Sequence, residues 1–324
     1  MKVLRFEKLR DTSLARGFGL LLVAALAALV AVGCGGGESG EARAVEGTIQ
    51  ATTTTTQITD MVESIGGDEV EVTALMGPGV DPHLYEPSQG DIEALQGADA
   101  VFYNGLFLEG QLADLLVQVG QESPTVRVTE AIPEDELRPS ENYEGQNDPH
   151  VWFAPELWET AVDPVVEQLS ELKPDSAETF EQNGEEYKQE VREAHEYVQE
   201  RIEEIPEDNR VLVTAHDAFG YFGETYGVEV QALQGISTES EAGAGDVREL
   251  ANELVEDEIP ALFTESSIPR RNIEAVQAAA QDQGWDLEIG GELYADAMGD
   301  PDTEEGTYPG MMRANADTMA EALG

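Results

Sequence analysis

The sequence predicts an α/β protein with mainly parallel strands, divided into two lobes bridged by one long helix. Short β-branched or apolar runs alternate with amphipathic stretches over most of the chain, which places helices between parallel strands. A polar, Glu-rich stretch at 175–205 is too long for a connector within such a lobe, and the alternation restarts after Pro206.

In order, residues 48–56 form a β-branched strand, 61–65 lie in a short helix, and 70–75 alternate as a strand. A helical segment at 91–95 precedes an apolar strand at 98–103. Helix follows at 112–119 and strand at 125–128. Residues 132–147 are polar, acidic and aperiodic, hence a loop. The 175–205 stretch keeps one narrow apolar stripe, Phe180, Tyr187, Val191, Tyr197, Val198 and Ile202, at helical spacing. It predicts a mostly solvated strut, with Gly184 a weak point costing about 1 kcal/mol relative to Ala. Beyond it come strands at 211–214, 228–233, 261–264 and 287–289, and helices at 218–226, 247–255 and 273–283. The divisions are therefore 47–174, 175–206 and 207–324.

Residues 1–33 join a basic segment to an uncharged, largely apolar run ending at Cys34, the layout of a secretory signal. Ala31-Val32-Gly33-Cys34 resembles a bacterial lipoprotein signal, which implies cleavage before Cys34 and its lipidation. A retained membrane anchor is the alternative, and either places the remainder outside the cytoplasm. Residues 34–46, rich in Gly and Glu, read as a flexible tether. As the chain's one cysteine, Cys34 leaves none for an internal disulfide or a thiolate metal site. The formal charge of −50, from 67 acidic and 17 basic residues, excludes nucleic acid as a partner. It also predicts a surface suited to high salt, where the Debye length falls to about 3 Å at 1 M.

Four histidines occur, and three have unusual neighbours. Asp81-Pro82-His83 and Asp148-Pro149-His150 repeat one tripeptide, whose proline stiffens the turn that presents each imidazole. Asp81 and Asp148 are placed to accept the second ring N–H of these histidines. His216 ends an apolar strand, where ligands gather in α/β folds. Asp296 follows the final strand and alone would be an ordinary loop carboxylate. His195, among charged neighbours on the long helix, is expected in solvent. Imidazoles with one carboxylate suit zinc or another divalent first-row ion rather than calcium.

The motifs Met76-Gly77-Pro78-Gly79-Val80-Asp81-Pro82-His83-Leu84-Tyr85, Asp148-Pro149-His150-Val151-Trp152-Phe153, Thr214-Ala215-His216-Asp217-Ala218-Phe219-Gly220 and Gly290-Gly291-Glu292-Leu293-Tyr294-Ala295-Asp296-Ala297-Met298-Gly299-Asp300 occur in that order. Together they resemble the TroA-like metal-binding receptors (cluster A-I) of zinc/manganese ABC importers. The resemblance implies a C-clamp of two lobes, each with a central sheet, and one zinc or manganese ion between them. It implies His83, His150, His216 and Asp296 as ligands, a membrane permease as partner, and a monomer. Two other readings compete: a secreted metallohydrolase using Glu239 or Glu265 as base, and a surface adhesin.

Overall fold

The computed structural model describes residues 44–140 and 145–324. The signal segment, Cys34 and the tether up to Arg43 lie outside these residues. The first lobe is built on β1 (Ile49–Thr53), β2 (Val70–Ala74), β3 (Ala100–Tyr103) and β4 (Thr125–Arg127). They form one all-parallel sheet in the order β2-β1-β3-β4. Parallel neighbours need crossovers, and α1 (Thr56–Gly66), α2 (Gln89–Gly97) and α3 (Ala113–Val119) supply them. Ser88 starts α2 with a capping box: its hydroxyl accepts from Asp91 N, and the Asp91 carboxylate accepts from Ser88 N.

α4 (Pro155–Leu172) and α5 (Ala177–Glu203) follow as an antiparallel pair. α5 runs for 27 residues, about 40 Å at 1.5 Å per residue. Its apolar stripe is packed, as the spacing predicts, while much of its remaining surface is exposed. Phe180, Gly184, Tyr187, Val191, Ala194, Val198 and Ile202 are all buried, against α4, α1 and the C-terminal helix. Gly184 is where α5 presses on α4: a Cβ there would stand 2.7 Å from Val166 Cγ2. The residue read as a weak point is thus a point of close approach. His195 departs from expectation too. It is half-buried, with Nδ1 3.0 Å from the Tyr226 hydroxyl.

The second lobe contains β5 (Val211–His216), α6 (Gly220–Tyr226), β6 (Glu229–Gln234), α7 (Ala244–Glu256), β7 (Ala261–Glu265), α8 (Arg271–Gln281), β8 (Glu288–Leu293) and α9 (Tyr308–Leu323). Its strands are parallel but pair as β5-β6 and β7-β8. β5 and β7 lie side by side, and no backbone ladder joins them among the described residues.

Each lobe has a minor core, around Leu95 and Val101 in the first and Val213 and Leu262 in the second. The largest core belongs to neither alone. It runs from Ile49 and Ile58 through Trp158, Tyr187 and Phe219 to Tyr308 and Met319. Asp60 of α1 stands at this junction, where its carboxylate accepts from the Tyr187 hydroxyl at 3.2 Å and from Tyr308 N at 3.1 Å. Burial pushes its carboxyl up to about 6, above what these bonds can offset. No helix among the described residues is long and apolar enough to cross a membrane.

Candidate metal centre

The fold brings His83, His150, His216 and Asp296 to one point. His83 is carried by the loop after β2, His150 by the turn before α4, His216 by the last position of β5, and Asp296 by the loop after β8. All four are buried, none more than 3% exposed. Their potential donor atoms lie within 4.8 Å of one another. Asp296 Oδ1 is 3.3 Å from His150 Nε2, and Oδ2 is 3.2 Å from His216 Nε2 and 3.9 Å from His83 Nε2. Adjacent ligands of a tetrahedral ion with bonds of about 2.0 Å stand about 3.3 Å apart, so the cage has the right size.

The electrostatics agree with the size. The three Nε2 atoms and both Asp296 oxygens are buried without a conventional hydrogen-bond partner. Five such atoms facing one another would be costly unless something between them satisfies them, and a cation does so. Asp296 and the rings lie close enough to shift one another's titration. Burial pushes the Asp296 carboxyl up, but the His216 and His150 rings outweigh this and hold it well below the usual range. Burial pushes both of these imidazoles down. Asp148 and Asp296 reverse this and carry His150 up to about 9, while Asp296 and Glu265 hold His216 well above its ordinary value. Burial dominates at His83, pushing it down to about 3.

Each ring is aimed differently. Asp148 Oδ1 faces His150 Nδ1 at 2.7 Å and accepts from its backbone N–H at 3.0 Å. Asp81 does not match it: Oδ1 accepts from the backbone N–H of His83 at 2.9 Å, and Oδ2 from the Thr238 hydroxyl at 2.7 Å. Asp81 therefore fixes the turn rather than the ring, and ties it to the second lobe. The partner of His216 Nδ1 is Glu265, at the end of β7. That pairing spans 49 positions, and no local signal in the sequence announces it. The Asp296 loop is held from the first lobe: Gln57 Nε2 and Trp152 Nε1 both donate to Ala295 O, and Met298 N donates to the Thr56 hydroxyl. A cavity of 140 Å³ reaches His83 from the surface, past Phe107, Pro149, Ser237 and Glu239.

Two lobes meeting around a buried cage of three imidazoles and a carboxylate define a receptor-like binding protein that encloses a small cation. The chain belongs to the ZnuA family, zinc-uptake complex component A periplasmic, which matches residues 52–322. It is 47% identical over 306 residues to the manganese-binding lipoprotein MntA of Bacillus subtilis, covering 94% of this chain and 99% of the relative. It is 45% identical over 280 residues to the zinc-binding protein TroA of Treponema pallidum, covering 86% and 90%. The solved structure of that periplasmic zinc-binding TroA superposes with a TM-score of 0.84, covering 86% of this chain and all of the other.

Proposed function

We propose that this protein captures one zinc or manganese ion outside the cytoplasm, and delivers it to the membrane permease of an ABC importer. The ion is cargo, and His83, His150, His216 and Asp296 are its ligands. The observation that carries the reading is the set of five buried, unpartnered donor atoms converging from both lobes. The division into 47–174 and 207–324, joined through 175–206, is part of the same proposal. So is lipidation of Cys34, which would keep the receptor at the membrane beside its importer.

Two features weigh against hydrolysis. Glu265, one candidate base, is committed to His216 Nδ1 and to two backbone N–H groups. Four protein donors also leave a tetrahedral ion no open position for water. The relatives' names divide between manganese and zinc. Raw affinity favours zinc by the Irving–Williams order, so a manganese function would depend on which ion is available. Calorimetry with each ion tests the proposal. One ion bound per chain, and binding abolished in His83→Ala and His216→Ala, is expected. Metal binding that survives both substitutions would overturn the ligand assignment.

A further inference from the structure

Arg138 is the one basic residue of the acidic loop at 132–147, and it reaches from the first lobe to the second. Its Nη1 donates to Asp148 Oδ2 at 3.0 Å and lies 3.8 Å from Asp217 Oδ2, while its Nε donates to Glu224 Oε1 at 3.1 Å. Its backbone N–H donates to the Tyr221 hydroxyl at 2.8 Å, and its carbonyl accepts from Asp148 N at 2.8 Å. The guanidinium lies against the first residue of α6: a Cβ on Gly220 would fall 2.3 Å from Nη1. Asp148 is fully buried, and its other oxygen is the one that faces His150 Nδ1.

These contacts place one cation among three carboxylates. Asp148 belongs to the first lobe and Asp217 to the second, and the two repel each other. With the guanidinium between them the seam is attractive. Without it, a buried carboxylate loses its counter-charge and the lobes push apart at the edge of the cage. Three acceptors in different directions suit the planar fork of an arginine, whereas a lysine ammonium is a point charge.

We infer that Arg138 is a positioning residue that latches the lobes together through Asp148, Asp217 and Glu224 and sets how long the bound metal stays. This rests on the metal-receptor reading above. The test is the rate at which zinc-loaded protein loses its ion to excess chelator, followed by stopped flow. In Arg138→Gln the loss should accelerate about tenfold or more, since cutting one partner of a buried charge pair acts mainly on dissociation. Arg138→Lys should fall between that variant and wild type. Glu224→Gln changes a largely exposed side chain away from the cage and should accelerate loss about twofold, with no further effect when combined with Arg138→Gln.

A wild-type dissociation rate in Arg138→Gln, whatever its melting temperature, would overturn the inference. So would a full-sized effect of Glu224→Gln in the Arg138→Gln background. If Arg138→Gln does not fold, Glu224→Gln alone decides, and an unchanged rate counts against the latch. Wild-type protein that takes up no zinc or manganese would instead defeat the receptor reading itself.

Discussion

Glu265 holds His216 from two sides, with one carboxylate oxygen on the imidazole Nδ1 and the other on the backbone N–H groups of Ala215 and His216, at 2.6 and 2.9 Å. This carboxylate bridges β7 to β5 where no ladder joins them. Aiming a ligand and joining two strand pairs are therefore one job. Glu265→Ala should lower metal affinity about 10–100-fold. It should also cost the metal-free protein about 2–4 kcal/mol, because two buried N–H groups lose their acceptor. Denaturant melts and metal titration of the same preparation check both. Glu265→Gln keeps an acceptor for the backbone and should lose affinity with less loss of stability.

Affinity and metal-free stability should respond to pH in opposite directions. In the metal-free protein His150 and His216 hold protons beyond their ordinary range, His150 up to about 9. The stability this lends is full below the unfolded imidazole value near 6.5 and is lost as pH rises through about 9. Metal must displace those protons, so affinity should climb across the same window, up to about tenfold per pH unit for each proton released. Calorimetry at pH 7.5 in buffers of different protonation enthalpy should report nearly two protons released. Release near zero would contradict ligation through both Nε2 atoms.

Asp60 should move stability at lower pH. Its carboxyl is raised to about 6 in the folded state, so the folded protein binds a proton more tightly than the unfolded chain. Its contribution to stability therefore grows as pH falls through 6 toward the ordinary carboxylate range. Asp60→Asn keeps an acceptor oxygen for Tyr308 N and removes the titration. The variant's melting temperature relative to wild type should be higher at pH 7.5 than at pH 4.5, by about 3 °C or more. Equal differences at the two pH values would show that burial does not govern this group.

Gly184→Ala distinguishes a packed helix from a solvated one. In an exposed helix, alanine would stabilise by about 1 kcal/mol. Here the new methyl meets Val166 at 2.7 Å, so a net loss of about 1–3 kcal/mol is expected from overpacking. The sign of the change in a urea melt gives the answer.

The charge of −50 predicts a melting temperature that rises from low to molar salt, as screening relieves self-repulsion. A flat response would mean that the acidic surface carries no net penalty.

Much of the α/β alternation was legible because β1, β3, β5 and β7 are short β-branched or apolar runs set off by polar helices. α4 was not, since Pro164 lies within it and masks the periodicity. Nor was α9, which opens with Pro309 and Gly310 and buries methionines and small residues rather than a stripe of leucines. At the site, the two Asp-Pro-His turns and the strand-end His216 stood out locally, whereas Asp296 gained meaning only from the family motifs. Arg138 drew no notice in the sequence, and Glu265 was considered only as a base for hydrolysis, not as the partner of His216. Each acts on a partner that folding brings near: Glu265 lies 49 positions from His216, and Arg138 lies 86 from Glu224. Asp81 shows the opposite failure: in an identical tripeptide its carboxylate accepts from the backbone N–H of His83 and from Thr238, whereas Asp148 also faces the ring of its histidine.

The packing of α5 bears on how such a receptor can let go. A spine held by α1, α4 and α9, with a glycine wedged against Val166, cannot bend without opening voids along its length. Resistance to bending makes a small rearrangement the expected response to release, and directs it to the seam between the lobes where Arg138 meets Asp148 and Asp217.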